Sequence, residues 1–113
     1  MGATLKTIVP MIPAGPHLRG ALSFFEEKMG FTITWESSSQ GIAGIQRDSV
    51  AFTLIENDNQ EWANNASFSI SVDDLDALYD EFKDISVAIT PLEIKPWGRR
   101  EFHMIVPSGV CLQ

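Results

Sequence analysis

Three tryptophans, Trp35, Trp62 and Trp97, and one lone cysteine with two histidines are the residues here whose chemistry stands out. An indole is a large rigid surface that stacks on planar or cationic ligands, with about 0.5–2 kcal/mol per cation contact. Trp62 lies in the polar stretch 57–65, and Trp97 sits between Pro96 and Gly98 where the chain enters a strand, so both read as ligand contacts. Trp35 alternates with Phe31 and Ile33, so core packing is its expected place ahead of ligand contact. Cys111 would need a neighbouring imidazole or cation to act as a nucleophile. His103 is the one candidate, but no nucleophile motif surrounds either residue, and a small buried thiol is the plainer reading. His17 precedes a helix. The acid pairs Glu26-Glu27 and Asp73-Asp74 fall on expected helices or caps, where solvation and capping account for them.

Charge narrows the range of partners. Eight Lys and Arg against 15 Asp and Glu give a net charge of −7, which repels phosphate backbones and makes nucleic acid a poor partner. The acidity serves solubility or attracts a cation. A single cysteine forms no intrachain disulfide and gives no sign of an oxidising compartment. With no basic-then-apolar leader and no stretch near the roughly 20 apolar residues of a membrane span, the expected location is cytoplasmic, without membrane attachment. A chain of 113 residues suits one domain.

Hydrophobic periodicity supplies the elements that must position these side chains. A β-branched run at 5–12 predicts a strand, the prolines and glycine of 13–16 a turn, and Leu18, Ala21, Leu22, Phe25 and Met29 one helix face closed by Gly30. Alternation predicts strands over 31–36, 41–47 and 49–56, and the polar stretch 57–65 reads as a loop. The pattern then repeats. Phe68, Ile70 and Val72 alternate with serines in a strand, and Asp73 caps a helix carrying Leu75, Leu78, Tyr79 and Phe82. Strands follow at 86–89, 92–94, 101–106 and 110–113. Strand, helix and three strands, given twice, is an internal duplication and an α+β architecture.

Pro96-Trp97-Gly98-Arg99-Arg100-Glu101-Phe102, followed by Pro107-Ser108-Gly109, closely resembles the ending of bleomycin-resistance-type proteins. Val9-Pro10-Met11-Ile12-Pro13-Ala14, and Ala21-Leu22-Ser23-Phe24-Phe25 through Met29-Gly30-Phe31, resemble their opening strand, helix and turn. On these motifs the whole chain is similar to the glyoxalase/bleomycin resistance/dioxygenase (vicinal oxygen chelate) superfamily, in its bleomycin-resistance-like branch. The resemblance implies one domain over 1–113, with two βαβββ modules at about 1–57 and 66–113. Their sheets form an open, cleft-enclosing, barrel-like structure with the helices outside. It further implies a homodimer that exchanges its N-terminal strand. Pro10, Pro13 and Pro16 fit a stiff hinge for such an exchange, or simply shape a turn.

Enzymatic branches of the superfamily hold a divalent metal on inward-facing His, Glu or Gln. Matched residue by residue, those positions are Val9, Ser67 and Gln113, with the mid-chain acid on or beside Thr53 and Leu54. Val9 has no donor, Ser67 is a weak one, and Gln113 alone cannot hold a catalytic metal. Glu56 lies two or three residues past the acid position, and a shift of two would keep its face. The resemblance therefore implies no cofactor and no catalysis. It implies sequestration of a planar, cationic molecule such as a bleomycin-type antibiotic in a dimer cleft, giving antibiotic resistance. Trp62, Trp97, Trp35 and Phe102 are then the ring contacts, and Ser67, Ser69, Glu56 and Gln113 the hydrogen-bond acceptors. Two alternatives remain: a metal-dependent lyase or dioxygenase using Glu56, His103 or Gln113 in an unusual site, and a metabolite-binding regulatory module. The ending departs from the family in having Val106 before Pro107 where an acid is usual, although Pro107 and Gly109 still specify the turn. Relatives also continue a few residues of strand past the position of Gln113, so either the cleft edge is shorter here or the sequence is cut.

Overall fold

The computed structural model describes residues 2–85 and 87–113. In the first half, strand β1 (Met11–Pro13) is followed by helix α1 (Leu18–Lys28) and strands β2 (Thr32–Ser37), β3 (Ile42–Arg47) and β4 (Val50–Ile55). They form one sheet in the order β1-β4-β3-β2, parallel between β1 and β4 and antiparallel elsewhere. Helix α2 (Gln60–Asn65) links to the second half. There β5 (Ser67–Phe68), helix α3 (Leu75–Phe82), β6 (Ala88–Ile89), the hairpin β7 (Glu93–Ile94) and β8 (Arg100–Glu101), β9 (Met104–Ile105) and β10 (Cys111–Leu112) follow. The order β5-β10-β9-β6 repeats the first plan, again with one parallel pair beside antiparallel ones.

Burial explains the shared plan. Ile12, Ala43, Ile45, Phe52 and Leu54 point to one face of the first sheet and meet Leu18, Leu22 and Phe25 of α1. Each fully buried side chain contributes about 1.5–3 kcal/mol. Helix α1 has no side-chain cap at His17; the Glu56 carboxylate accepts from the Leu18 N–H at 2.9 Å instead and places a negative charge at the positive end of the dipole. Gly30, at φ +74°, makes the expected left-handed exit.

The halves are joined by aromatic and ionic contacts. Phe25, Phe31, Phe52 and Phe68 form a chain of ring contacts at 5.5–6.2 Å that crosses from the first half to the second. Arg47 of β3 donates to both carboxylate oxygens of Glu81 on α3 (2.7 and 3.0 Å) and to the Met29 carbonyl (2.8 Å), with its guanidinium over the Phe82 ring.

Several boundaries depart from the sequence pattern. The strand expected over 5–12 is seen only as Met11–Pro13, and residues 2–9 are exposed. The expected loop at 57–65 contains α2, started by the Asn59 side chain accepting from the Trp62 N–H at 3.0 Å. Asp74, not Asp73, caps α3 by accepting from Ala77 N–H at 3.0 Å. The strand expected over 101–106 is divided between β8 and β9. Of the strand expected at 86–89, Ser86 lies outside the described residues and β6 covers the end.

Candidate functional site

The residues with binding chemistry occupy one face in each half. On the first sheet, the pairings Trp35↔Gly44, Gly44↔Thr53 and Met11↔Thr53 set these four residues in a row across it. A side chain at Gly44 would collide with the Trp35 indole, so the missing Cβ lets the ring lie flat over β3. The irregularity between Ile33 and Trp35 turns this ring away from the core, leaving it 47% exposed. Arg19 and Glu36 pair beside it.

On the second sheet the corresponding face is polar. The side chains of Ser67 and Gln113 are hydrogen-bonded across the parallel pair β5–β10. Glu101, the one buried charged residue among those described, places Oε1 at 3.0 Å from His103 Nε2 and Oε2 at 3.4 Å from Arg99. Arg99 also reaches the Ser69 hydroxyl at 3.4 Å. The His103 hydrogen bond holds the Glu101 carboxyl below the usual carboxylate range, with the charge of Arg99 and the Trp97 indole N–H acting the same way. Trp97, 56% exposed, stands at the turn of the β7–β8 hairpin beside this network. Burial pushes the Cys111 thiol up, although a hydrogen bond with Ser67 opposes the shift. Cys111 is hydrogen-bonded to Ser67 and His103 to Glu101, and among the described residues no hydrogen bond joins the thiol to the imidazole. Below the network a cavity of 260 Å³ opens between 69–72 and 99–102, floored by Leu75, Leu78 and Phe82 of α3.

Four of the residues singled out in the sequence therefore meet in or beside this network: Trp97, Ser67, Ser69 and Gln113. Phe102 is 7% exposed and packs edge-on against Tyr79 of α3 at 5.2 Å, forming a wall of the cavity. Trp35 belongs to the other sheet. Glu56 is at the start of α1, and Trp62 is half-buried on α2. Arg99, Glu101, His103 and Cys111 were not marked as ligand-binding by the sequence. The alternation of 99, 101 and 103 inside the motif was the available signal, because residues two apart in extended chain share a face.

The positions matched to metal ligands in the enzymatic branches carry no suitable donor set. Leu54 is fully buried, Thr53 gives its backbone N–H to the Pro10 carbonyl at 2.8 Å, and Ser67 and Gln113 bond each other. Among the described residues, no group of three or more His, Cys, Asp or Glu converges as a metal site.

A family model described as "Glyoxalase/Bleomycin resistance protein/Dioxygenase superfamily" matches residues 11–112. A search of curated proteins gives no match. Among solved structures, the bleomycin-binding protein from bleomycin-producing Streptomyces verticillus, complexed with copper(II)-bleomycin, is 28% identical with a TM-score of 0.85, covering 98% of this chain and 95% of that one. The bleomycin resistance determinant encoded on the transposon Tn5 is 20% identical with a TM-score of 0.81, covering 96% and 94%. The lactoylglutathione lyase of Agrobacterium tumefaciens is 13% identical with a TM-score of 0.71, covering 96% and 92%. The last two likenesses are of fold.

Proposed function

Because the chain belongs to the glyoxalase/bleomycin resistance protein/dioxygenase superfamily, we propose that it binds a planar, cationic antibiotic of the bleomycin type and holds it intact. The reading is carried by the second sheet's exposed face, where an indole stands beside a hydrogen-bonded polar network with no nucleophile pair or metal-ligand set among its residues. Likeness to a bleomycin-binding protein over 98% of the chain supports it. Trp97 stacks on the flat part of the ligand, the hydroxyl and amide groups of Ser67, Ser69 and Gln113 supply directional contacts, and the net charge of −7 draws the cation in.

One chain offers two separate half-sites, the Trp35 row and the Trp97 network. In the proposed homodimer the Trp35 row of one protomer faces the network of the other across a shared cleft. The exposed residues 2–9 favour an N-terminal arm that reaches the partner, and the proposed setting is the cytoplasm. Sequestration lowers free drug only where protein is abundant relative to the dissociation constant. The lyase alternative shares the fold, and no feature of the site favours it.

Titration of intrinsic tryptophan fluorescence with metal-free bleomycin tests the proposal. Saturable quenching at one ligand per cleft is expected, weakened about 2- to 30-fold in Trp97→Ala, the range corresponding to 0.5–2 kcal/mol. A flat titration contradicts the antibiotic reading.

A further inference from the structure

Strand β2 holds one residue more than its ladder with β3 can match. Ile33 pairs with Ile45 and Trp35 with Gly44, so two steps along β2 answer a single step along β3, and Thr34 is the extra residue of a bulge. Ile33 packs against the core, and its partner Ile45 is buried there. Regular alternation would turn Trp35 the same way, because residues two apart in a strand share a face. The bulge reverses this. Trp35 emerges on the opposite face, and Glu36, paired with the fully buried Ala43, takes the α1 side, where it meets Arg19.

On the outer face the indole is seated by the lack of a side chain beneath it. A Cβ at Gly44 would lie 2.1 Å from Nε1 of Trp35, 2.6 Å from Cδ1 and 2.7 Å from Cε2. The two carbons flanking the nitrogen are almost as near as the nitrogen itself, which places Gly44 under the ring face rather than at the ring edge. Gly44 is buried as a result. Its backbone does not call for glycine: unlike Gly30 and Gly41 it has no positive φ, so the ring alone excludes a side chain there. Each of these features costs stability. A bulge interrupts the ladder, a glycine inside a strand weakens it, and an indole half in water forgoes the burial that alternation offered. The chain does not recover the outer ring face, since among the described residues no ring pair or cation–π contact involves Trp35.

We propose that Gly44, with the bulge at Thr34, is a positioning device for binding: it holds the Trp35 indole face-down on β3, so that one fixed ring face meets the flat part of the ligand. The inference rests on the antibiotic reading above and deepens it. A ring held in advance loses little freedom when a ligand stacks on it, and the ligand gains the full contact area of a face lying along the sheet. A side chain at position 44 lifts the pyrrole part of the indole and tilts the ring, which then meets a flat ligand over a smaller area. Gly44 touches no ligand and acts only through Trp35.

The test is isothermal titration of wild type, Gly44→Ala, Trp35→Ala and the double variant with metal-free bleomycin, with urea denaturation reporting that each is folded. Trp35→Ala is expected to weaken binding about 2- to 30-fold, the worth of one ring contact. Gly44→Ala should weaken it comparably, and in the double variant the substitution at 44 should add nothing, since no ring remains to be held. A second measurement needs wild type alone as the folded reference. One Gly44 Hα resonance should be shifted upfield by the ring above it, return to its ordinary position in Trp35→Ala, and stay upfield when bleomycin is bound. Wild-type affinity in Gly44→Ala overturns the proposal, as does an equal loss from Gly44→Ala whether residue 35 is Trp or Ala, which would mark a purely structural role. An Hα shift that is absent, or that is lost on adding bleomycin, also overturns it, because the ring then does not bind from its seat on Gly44. A wild type that binds no bleomycin overturns the antibiotic reading and this inference with it, whereas the other contrary results overturn this inference alone.

Discussion

The first sheet and the second have the same strand order, yet the first is built from three six-residue strands and one of three residues, and the second from two-residue ones. Composition accounts for the difference. The stretch 42–55 has no proline, whereas Pro91, Pro96 and Pro107 interrupt the second half, each removing a backbone donor and fixing φ. A long ladder buries and satisfies itself; a broken one leaves polar groups facing outward. The first half thus presents a row of side chains on a continuous ladder, with Trp35 exposed in it, and the second presents Glu101, His103, Arg99 and the hairpin indole.

The largest effect that would sharpen this contrast comes from equivalent leucines. Leu54→Ala, in the closed first half, is expected to cost about 3 kcal/mol by urea denaturation. Leu112→Ala, beside the open cavity, should cost about 1 kcal/mol less, since its surroundings are already incompletely filled. Equal losses would break the distinction. Arg47→Met, which cuts the polar link between the halves, should cost about 1–2 kcal/mol, and a double-mutant cycle with Glu81→Gln should show that the two losses are not additive. Glu56→Gln keeps an acceptor at α1 but removes the charge, and about 0.3–1 kcal/mol should be lost, less at high salt.

The smallest effect is one of acidity. Glu101 has a depressed carboxyl, so its stabilisation is present above the unfolded-state value and is lost as pH falls through the lower folded-state value. Wild type should therefore lose its stability advantage over Glu101→Gln only on acidification below the ordinary carboxyl range, measured by denaturation at a series of pH values. A gap that stays constant down the series would remove Glu101 from the account.

The duplicated strand and helix plan was legible in the sequence because apolar spacing at 3.6 and 2 residues reports which face is buried. The helix face Leu18, Leu22 and Phe25 and the exit at Gly30 follow from that signal alone. Helix α2 was not legible, since Asn-rich composition reads as loop until Asn59 is seen bonding the Trp62 N–H. The grouping of the candidate residues was legible in part. Trp97, Ser67, Ser69 and Gln113 lie in one neighbourhood, but Glu56 resembles them only by position along the chain, and sequence spacing does not show that its carboxylate turns to α1.

Isothermal titration of the protein with metal-free bleomycin, followed by recovery of the ligand and its mass, tests the central claim of intact binding most directly. The expected result is saturation at one ligand per cleft and recovery of the ligand at unchanged mass. Absence of binding heat at several temperatures, or a ligand returned with altered mass, would contradict it.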